Sequence, residues 1–84
     1  MAADLKNINL EYYAYFREVR RLSKETIATE AGSPRELFDD MIKRFGFRTD
    51  RDSVRVAVND VLVSWDRPLA DGDTVVFLTP FGGG

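Results

Sequence analysis

Only one segment of this chain, Ser33 to Gly46, repeats with a helical period, and the other patterned segments repeat with the period of a strand. A single helix has one apolar stripe and needs a surface to cover, so a lone helix among short strands predicts a two-layer α+β domain. Side chains mark the limits of that helix. Ser33 is placed to cap, Pro34 suits the first helical position because its missing N–H would be unpaired there, and Glu36 completes a capping box. Leu37, Phe38, Met41, Ile42 and Phe45 then share one face, leaving Asp39, Asp40, Lys43 and Arg44 to water. Gly46 stands where a left-handed C-cap residue is expected.

The strands follow from alternation. Ile8, Leu10 and Tyr12 lie opposite Asn9, Glu11 and Tyr13, which predicts strand one from about Asn7 to about Tyr15. Arg20-Arg21-Leu22-Ser23-Lys24 reads as a loop, and Glu25 to Thr29 as a second strand pairing back onto the first. Val54 to Val58 is a third strand, joined to Val61-Leu62-Val63 by Asn59-Asp60, two residues that tolerate positive φ in a tight hairpin. After the turn-rich Arg67 to Asp73, the stretch Thr74 to Leu78 is apolar enough for the sheet interior, beside strand one. The expected order is β-β-α-β-β-β, a mixed sheet of about five strands under one main helix, which resembles the β-grasp arrangement of ubiquitin. Residues 1–79 are expected to form this one domain, with 1–6 as a flexible leader and 80–84 as a flexible glycine-rich tail.

Composition narrows the chemistry. The 84 residues include no Cys and no His, which closes thiol and imidazole catalysis, disulfides, and thiolate or imidazole metal sites. Asp50-Arg51-Asp52 and Asp71-Gly72-Asp73 space carboxylates as a cation site does, but both lie in predicted turns, where Asp is favoured for backbone hydrogen bonding, and no metal is expected. Twelve basic against fourteen acidic residues argue against a nucleic-acid partner that needs an electropositive surface. No apolar run approaches the ~20 residues of a membrane span. Met1 to Lys6 has neither a basic nor an apolar signal region, so a cytoplasmic protein without a membrane partner is expected. Arg17, Arg20, Arg21 and Lys24 form a basic cluster, which suits a solvated loop or an acidic partner surface. Trp65 reads as a packing residue near the second hairpin.

One reactive group is left. Gly82, Gly83 and Gly84 end the sequence, and a run without Cβ atoms is thin and conformationally permissive, able to thread a narrow channel. A frayed end is the plain alternative. The Gly84 carboxylate is the candidate reacting group, with Gly82 and Gly83 as the threading segment.

Ala14-Tyr15-Phe16-Arg17-Glu18, Val58-Asn59-Asp60-Val61-Leu62-Val63, Pro68-Leu69-Ala70-Asp71-Gly72-Asp73 and the Gly83-Gly84 end, taken in order, resemble the MoaD/ThiS family of ubiquitin-like sulfur carriers. The Ala-x-x-Arg-Glu segment and the length look more like MoaD, the molybdopterin synthase small subunit. The resemblance implies a non-catalytic carrier with no cofactor of its own. An E1-like adenylyltransferase (MoeB/ThiF type) would use ATP to adenylate Gly84, and a sulfur donor would convert the adenylate to a thiocarboxylate. The tail would then enter a MoaE-like large subunit to deliver sulfur. It also implies a partner-facing apolar surface, carried over to Tyr13, Leu62 and Leu78. Phe81 reads either as a docking anchor just before the tail or as a residue on the sheet. The single Pro80, the bulky Phe81 and a third glycine depart from the family's usual Pro-Pro ending and leave the sulfur acceptor open. A carrier for a thiamine-type or cysteine-type pathway, or a ubiquitin-like modifier conjugated through Gly84, are the alternatives.

Overall fold

The computed structural model of the chain describes residues 5–79. They form five strands, β1 (Lys6–Glu11), β2 (Lys24–Thr29), β3 (Arg55–Val58), β4 (Val61–Val63) and β5 (Thr74–Leu78), with two α-helices, α1 (Ala14–Arg20) and α2 (Pro34–Phe45). The strands make one sheet in the order β2-β1-β5-β3-β4. β1 and β5 run parallel, and every other neighbouring pair is antiparallel. This is a β-grasp sheet, with apolar β5 at its centre, beside β1. β1 begins at Lys6, inside the expected leader. The first four residues of that leader, and the 80–84 tail, lie outside the described residues.

The helix forms where its caps predict. Ser33 Oγ accepts a hydrogen bond from the Glu36 N–H at 3.3 Å, and Glu36 Oε1 accepts one from the Gly32 N–H at 2.8 Å, one residue earlier than a standard box. Gly46 closes the helix at φ 72°, its N–H on the Ile42 carbonyl at 2.8 Å. Leu37, Phe38 and Met41 are buried in one core with Ile8, Leu10, Val56, Val58, Val75 and Phe77, while Ile42 and Phe45 pack at its margin. Phe38 meets Phe77 edge to face at 5.0 Å, and Trp65 stacks on Phe77 at 5.9 Å, the packing role expected of it.

The tight β3–β4 turn has φ 52° at Asn59 and φ 72° at Asp60, the positive values that a two-residue hairpin requires. Asn59 does a second job that its sequence position does not advertise. Its Oδ1 accepts from the Thr74 N–H at 3.0 Å and its Nδ2 donates to Asp73 at 3.0 Å, tying the turn to the start of β5.

Strand one is shorter than alternation predicts. It stops at Glu11, and the residues expected to complete it and enter a loop form α1 instead. Tyr13 is still extended, but Ala14 adopts φ 51° and turns the chain out of the strand line. A Cβ in that region costs roughly 1–2 kcal/mol. Seven residues are too few for a helix to hold by itself, so tertiary contacts must offset that strain. Phe16 is buried edge-on to Phe47 at 5.0 Å and also contacts Tyr15, Phe38 and Phe77. Tyr15 is fixed too, its hydroxyl accepting from the Arg48 N–H at 2.6 Å. Arg21, read as loop, is the left-handed C-cap at φ 59°, its N–H on the Arg17 carbonyl at 2.7 Å.

Candidate functional site

Strand alternation divides the sheet residues between two faces. Because Val56, Val58, Val75 and Phe77 point to the core, Ala57, Val76 and Leu78 point the other way, onto a face that α2 does not cover. The register then builds a row across all five strands. Leu62 pairs with Ala57, Ala57 with Val76, Val76 with Glu11, and Glu11 with Lys24. Three residues of that row are apolar and two are charged. Leu78 lies two residues along β5, opposite Arg55.

All three residues carried over as partner contacts are found on this side. Leu62 is 65% exposed, Tyr13 51% and Leu78 36%, and apolar side chains grouped on one face in this way mark a surface suited to association. Tyr13 reaches the face from the turn after β1, with its hydroxyl 3.4 Å from Glu11 Oε1. Ala57 and Val76 form the buried floor between the exposed side chains. Sequence reasoning passed over both, and the register of β3, β4 and β5 assigns them to this face. Leu78, placed equally in core or surface by an apolar strand, is the surface residue, and Phe77 is the core residue.

Tyr13, Ala14, Arg17, Glu18, Phe77, Leu78 and Thr79 line an open groove of about 330 Å³ at the C-terminal end of β5. The strained Ala14 and the Arg17-Glu18 pair therefore flank the point where the chain leaves the sheet. Phe81, Gly82, Gly83 and Gly84 lie outside the described residues. The basic cluster divides. Arg20 is taken up by an ion pair with Glu25, whereas Arg17, Arg21 and Lys24 are exposed and make no ion pair among the described residues.

Behind the groove, Glu25 collects three hydrogen bonds. Arg20 donates from Nε to Oε2 at 2.7 Å and from Nη2 to Oε1 at 2.8 Å, and the buried Tyr12 hydroxyl donates to Oε2 at 2.5 Å. The Arg20 guanidinium also lies 3.8 Å from the centre of the Phe45 ring. Arg20 holds the Glu25 carboxyl below the usual carboxylate range against the effect of partial burial. Burial and the Glu25 charge push the Tyr12 hydroxyl well above the usual tyrosine range, so it stays a donor.

The Asp71-Gly72-Asp73 carboxylates serve the turn. Asp71 Oδ1 accepts from the Asn7 N–H at 2.7 Å, and Asp73 accepts from the Ala70 N–H at 2.9 Å as well as from Asn59. Burial works against the Asp73 charge, but those bonds and Arg67 hold its carboxyl below the usual range. No helix among the described residues is long and apolar enough to cross a membrane.

This arrangement has known counterparts. The sequence matches the ThiS family over residues 10–84. It is 35% identical over 77 residues to the molybdopterin synthase sulfur carrier subunit of Escherichia coli, covering 83% of this chain and 94% of that protein. Among solved structures, a putative molybdopterin converting factor subunit 1 from Pyrococcus furiosus superposes with a TM-score of 0.74 at 32% identity, covering 89% of this chain and 98% of that one. A chain in a complex of subunits 1 and 2 of molybdopterin-converting factor from Helicobacter pylori shares the fold, with a TM-score of 0.62, 24% identity, and 93% and 99% coverage. With its fold, its ordered motifs and these matches in agreement, the chain belongs to the MoaD/ThiS family of ubiquitin-like sulfur carriers.

Proposed function

We propose that this protein is the small, sulfur-carrying subunit of a molybdopterin synthase and acts through the carboxylate of Gly84. The observation that carries the reading is the adjacency of the groove at Thr79 to the apolar face of Tyr13, Val76, Ala57, Leu62 and Leu78. A partner that covers that face receives the chain's last residues at the same place. Its occupant in this reading is first an E1-like adenylyltransferase and later a MoaE-like large subunit, the second drawn from the two-subunit relative. Phe81 anchors the segment between face and tail, and Gly82 and Gly83 thread.

The chemistry needs little from the chain itself. A carboxylate is a poor electrophile, so the Gly84 carboxylate first attacks the α-phosphorus of ATP on the activating enzyme, and pyrophosphate leaves. Hydrosulfide supplied by the donor then attacks the acyl carbon and AMP leaves with the former carboxylate oxygen, which gives a thiocarboxylate with no change of oxidation state. The carrier supplies the acyl group and the docking surface, and its partners supply acid, base and nucleotide. That division of labour suits a chain without Cys or His.

Incubation with ATP, a sulfide source and the cognate E1-like enzyme should raise the intact mass by about 16 Da, one oxygen exchanged for sulfur. Adducts to lysines of other proteins, without that gain, would replace this reading with the modifier one. An unchanged mass would remove both.

A further inference from the structure

The cluster of Tyr12, Arg20 and Glu25 is not absorbed by the docking face or by the tail. It joins four elements at one point. Tyr12 follows the end of β1, Arg20 is the last residue of α1, Glu25 lies in β2, and Phe45, under the Arg20 guanidinium, ends α2. The pairing is two-pronged and sheltered, with the Arg20 and Glu25 side chains only 26% and 18% exposed, so it is held more firmly than an ordinary surface ion pair.

What this cluster fixes is α1. The helix has seven residues, starts at the strained Ala14, and is held in the core by Phe16 alone of its buried residues. It carries the groove residues Ala14, Arg17 and Glu18, with Tyr13 immediately before them. Phe16 in the core and the Tyr15 hydroxyl on the Arg48 N–H both hold its first turn, and without a hold on its last turn the helix could turn about these two and carry the flanking Tyr13 and Arg17 with it. Arg20 closes the other end.

We propose that Arg20 is a positioning residue, whose clamp on Glu25 and Tyr12 holds α1 so that Tyr13 and Arg17 present a preformed groove to the activating partner. The proposal rests on the sulfur-carrier reading for the identity of that partner, and on geometry alone for the clamp. Preformed contacts matter because the ordering of a loose segment on binding is subtracted from affinity. Lysine in place of Arg20 keeps the charge but loses the fork.

The test uses the full chain with Arg20→Lys and Arg20→Ala. In both variants the amides of Glu18 to Arg21 should exchange with solvent at least tenfold faster, while those of α2 and the central strands change less than threefold. Equal acceleration everywhere, or none in α1, overturns the proposal. In the sulfur-loading assay the KM for the carrier should rise about fivefold or more with kcat within twofold, since the clamp touches no reacting atom. Loosened α1 amides with an unchanged KM also overturn it. A wild-type chain that acquires no sulfur removes the carrier reading instead, and the exchange measurement then decides by itself whether Arg20 holds α1.

Discussion

The two faces of the sheet are made by the same strands and have opposite fates. Under α2, Phe38, Phe77, Val56 and Val75 touch one another and are closed to water. On the other side, Tyr13, Leu62 and Leu78 are of similar size and apolarity and remain in contact with solvent. Neighbouring residues such as Val56 and Ala57, or Phe77 and Leu78, are thus committed to different tasks by the two-residue period of a strand. Burial on one face stabilises the fold. Exposure on the other keeps apolar area in reserve for association, where a few central side chains carry most of the binding energy.

That contrast can be broken by experiment, and the largest effect belongs to the covered face. Phe38→Ala removes a fully buried ring in contact with Phe77, Phe16 and Trp65 and should cost about 3–5 kcal/mol in urea unfolding. With domain stabilities of about 5–15 kcal/mol, that is a large share of the total. In the proposed reading, the fraction still folded should bind a MoaE-like large subunit normally, and a binding defect of its own would mean that the two faces are not independent.

Acid should act next, and more weakly. Glu25 and Asp73 are both held below the ordinary carboxylate range, Glu25 chiefly by the Arg20 fork, and Asp73 by the Ala70, Asn59 and Arg67 contacts that overcome its burial. Groups lowered in the folded state give stability that is complete above their unfolded values, about 3.9 for Asp and 4.3 for Glu, and lost as pH falls through the folded ones. The urea midpoint should therefore stay level from pH 7 to 5 on their account and decline below about 4. Glu25→Gln should flatten that decline, and a decline of unchanged size would remove Glu25 from the explanation.

The smallest effect on stability is expected at Leu62→Ala, within about 0.5 kcal/mol, because the side chain is already in water. Its signature should appear in calorimetric titration with the large subunit instead, as a loss of affinity of roughly fivefold or more. Normal affinity would take β4 out of the interface and leave Tyr13 and Leu78 as its centre.

Much of this division was legible in the sequence, and for identifiable reasons. The α2 caps are local signals, carried by Ser33, Pro34 and Gly46 within one turn of the helix ends. The Asn59-Asp60 hairpin is equally local. Helix α1 was not legible, because Tyr12-Tyr13-Ala14-Tyr15-Phe16 has strand-forming aromatics and no cap residue, and its anchors are remote. Arg20 meets Glu25 across the turn into β2 and Phe45 from α2, and Tyr15 meets Arg48 thirty-three residues away. Tyr13 was placed on the correct side by strand alternation, though the chain presents it from a turn. Ala57 and Val76 were hidden by their small size and their neighbours' hydrophobicity, since in an apolar strand the alternation is readable only from a known register.

The placement of β5 has a mechanical consequence. The chain leaves the sheet from its middle strand, which is bonded to β1 on one side and β3 on the other. A pull on the residues beyond Thr79 is carried into two ladders at once and must slide both, whereas an edge strand would peel away one bond at a time. In the proposed reading, a partner that pulls on the chain end loads the sheet as a whole and leaves the apolar face in shape.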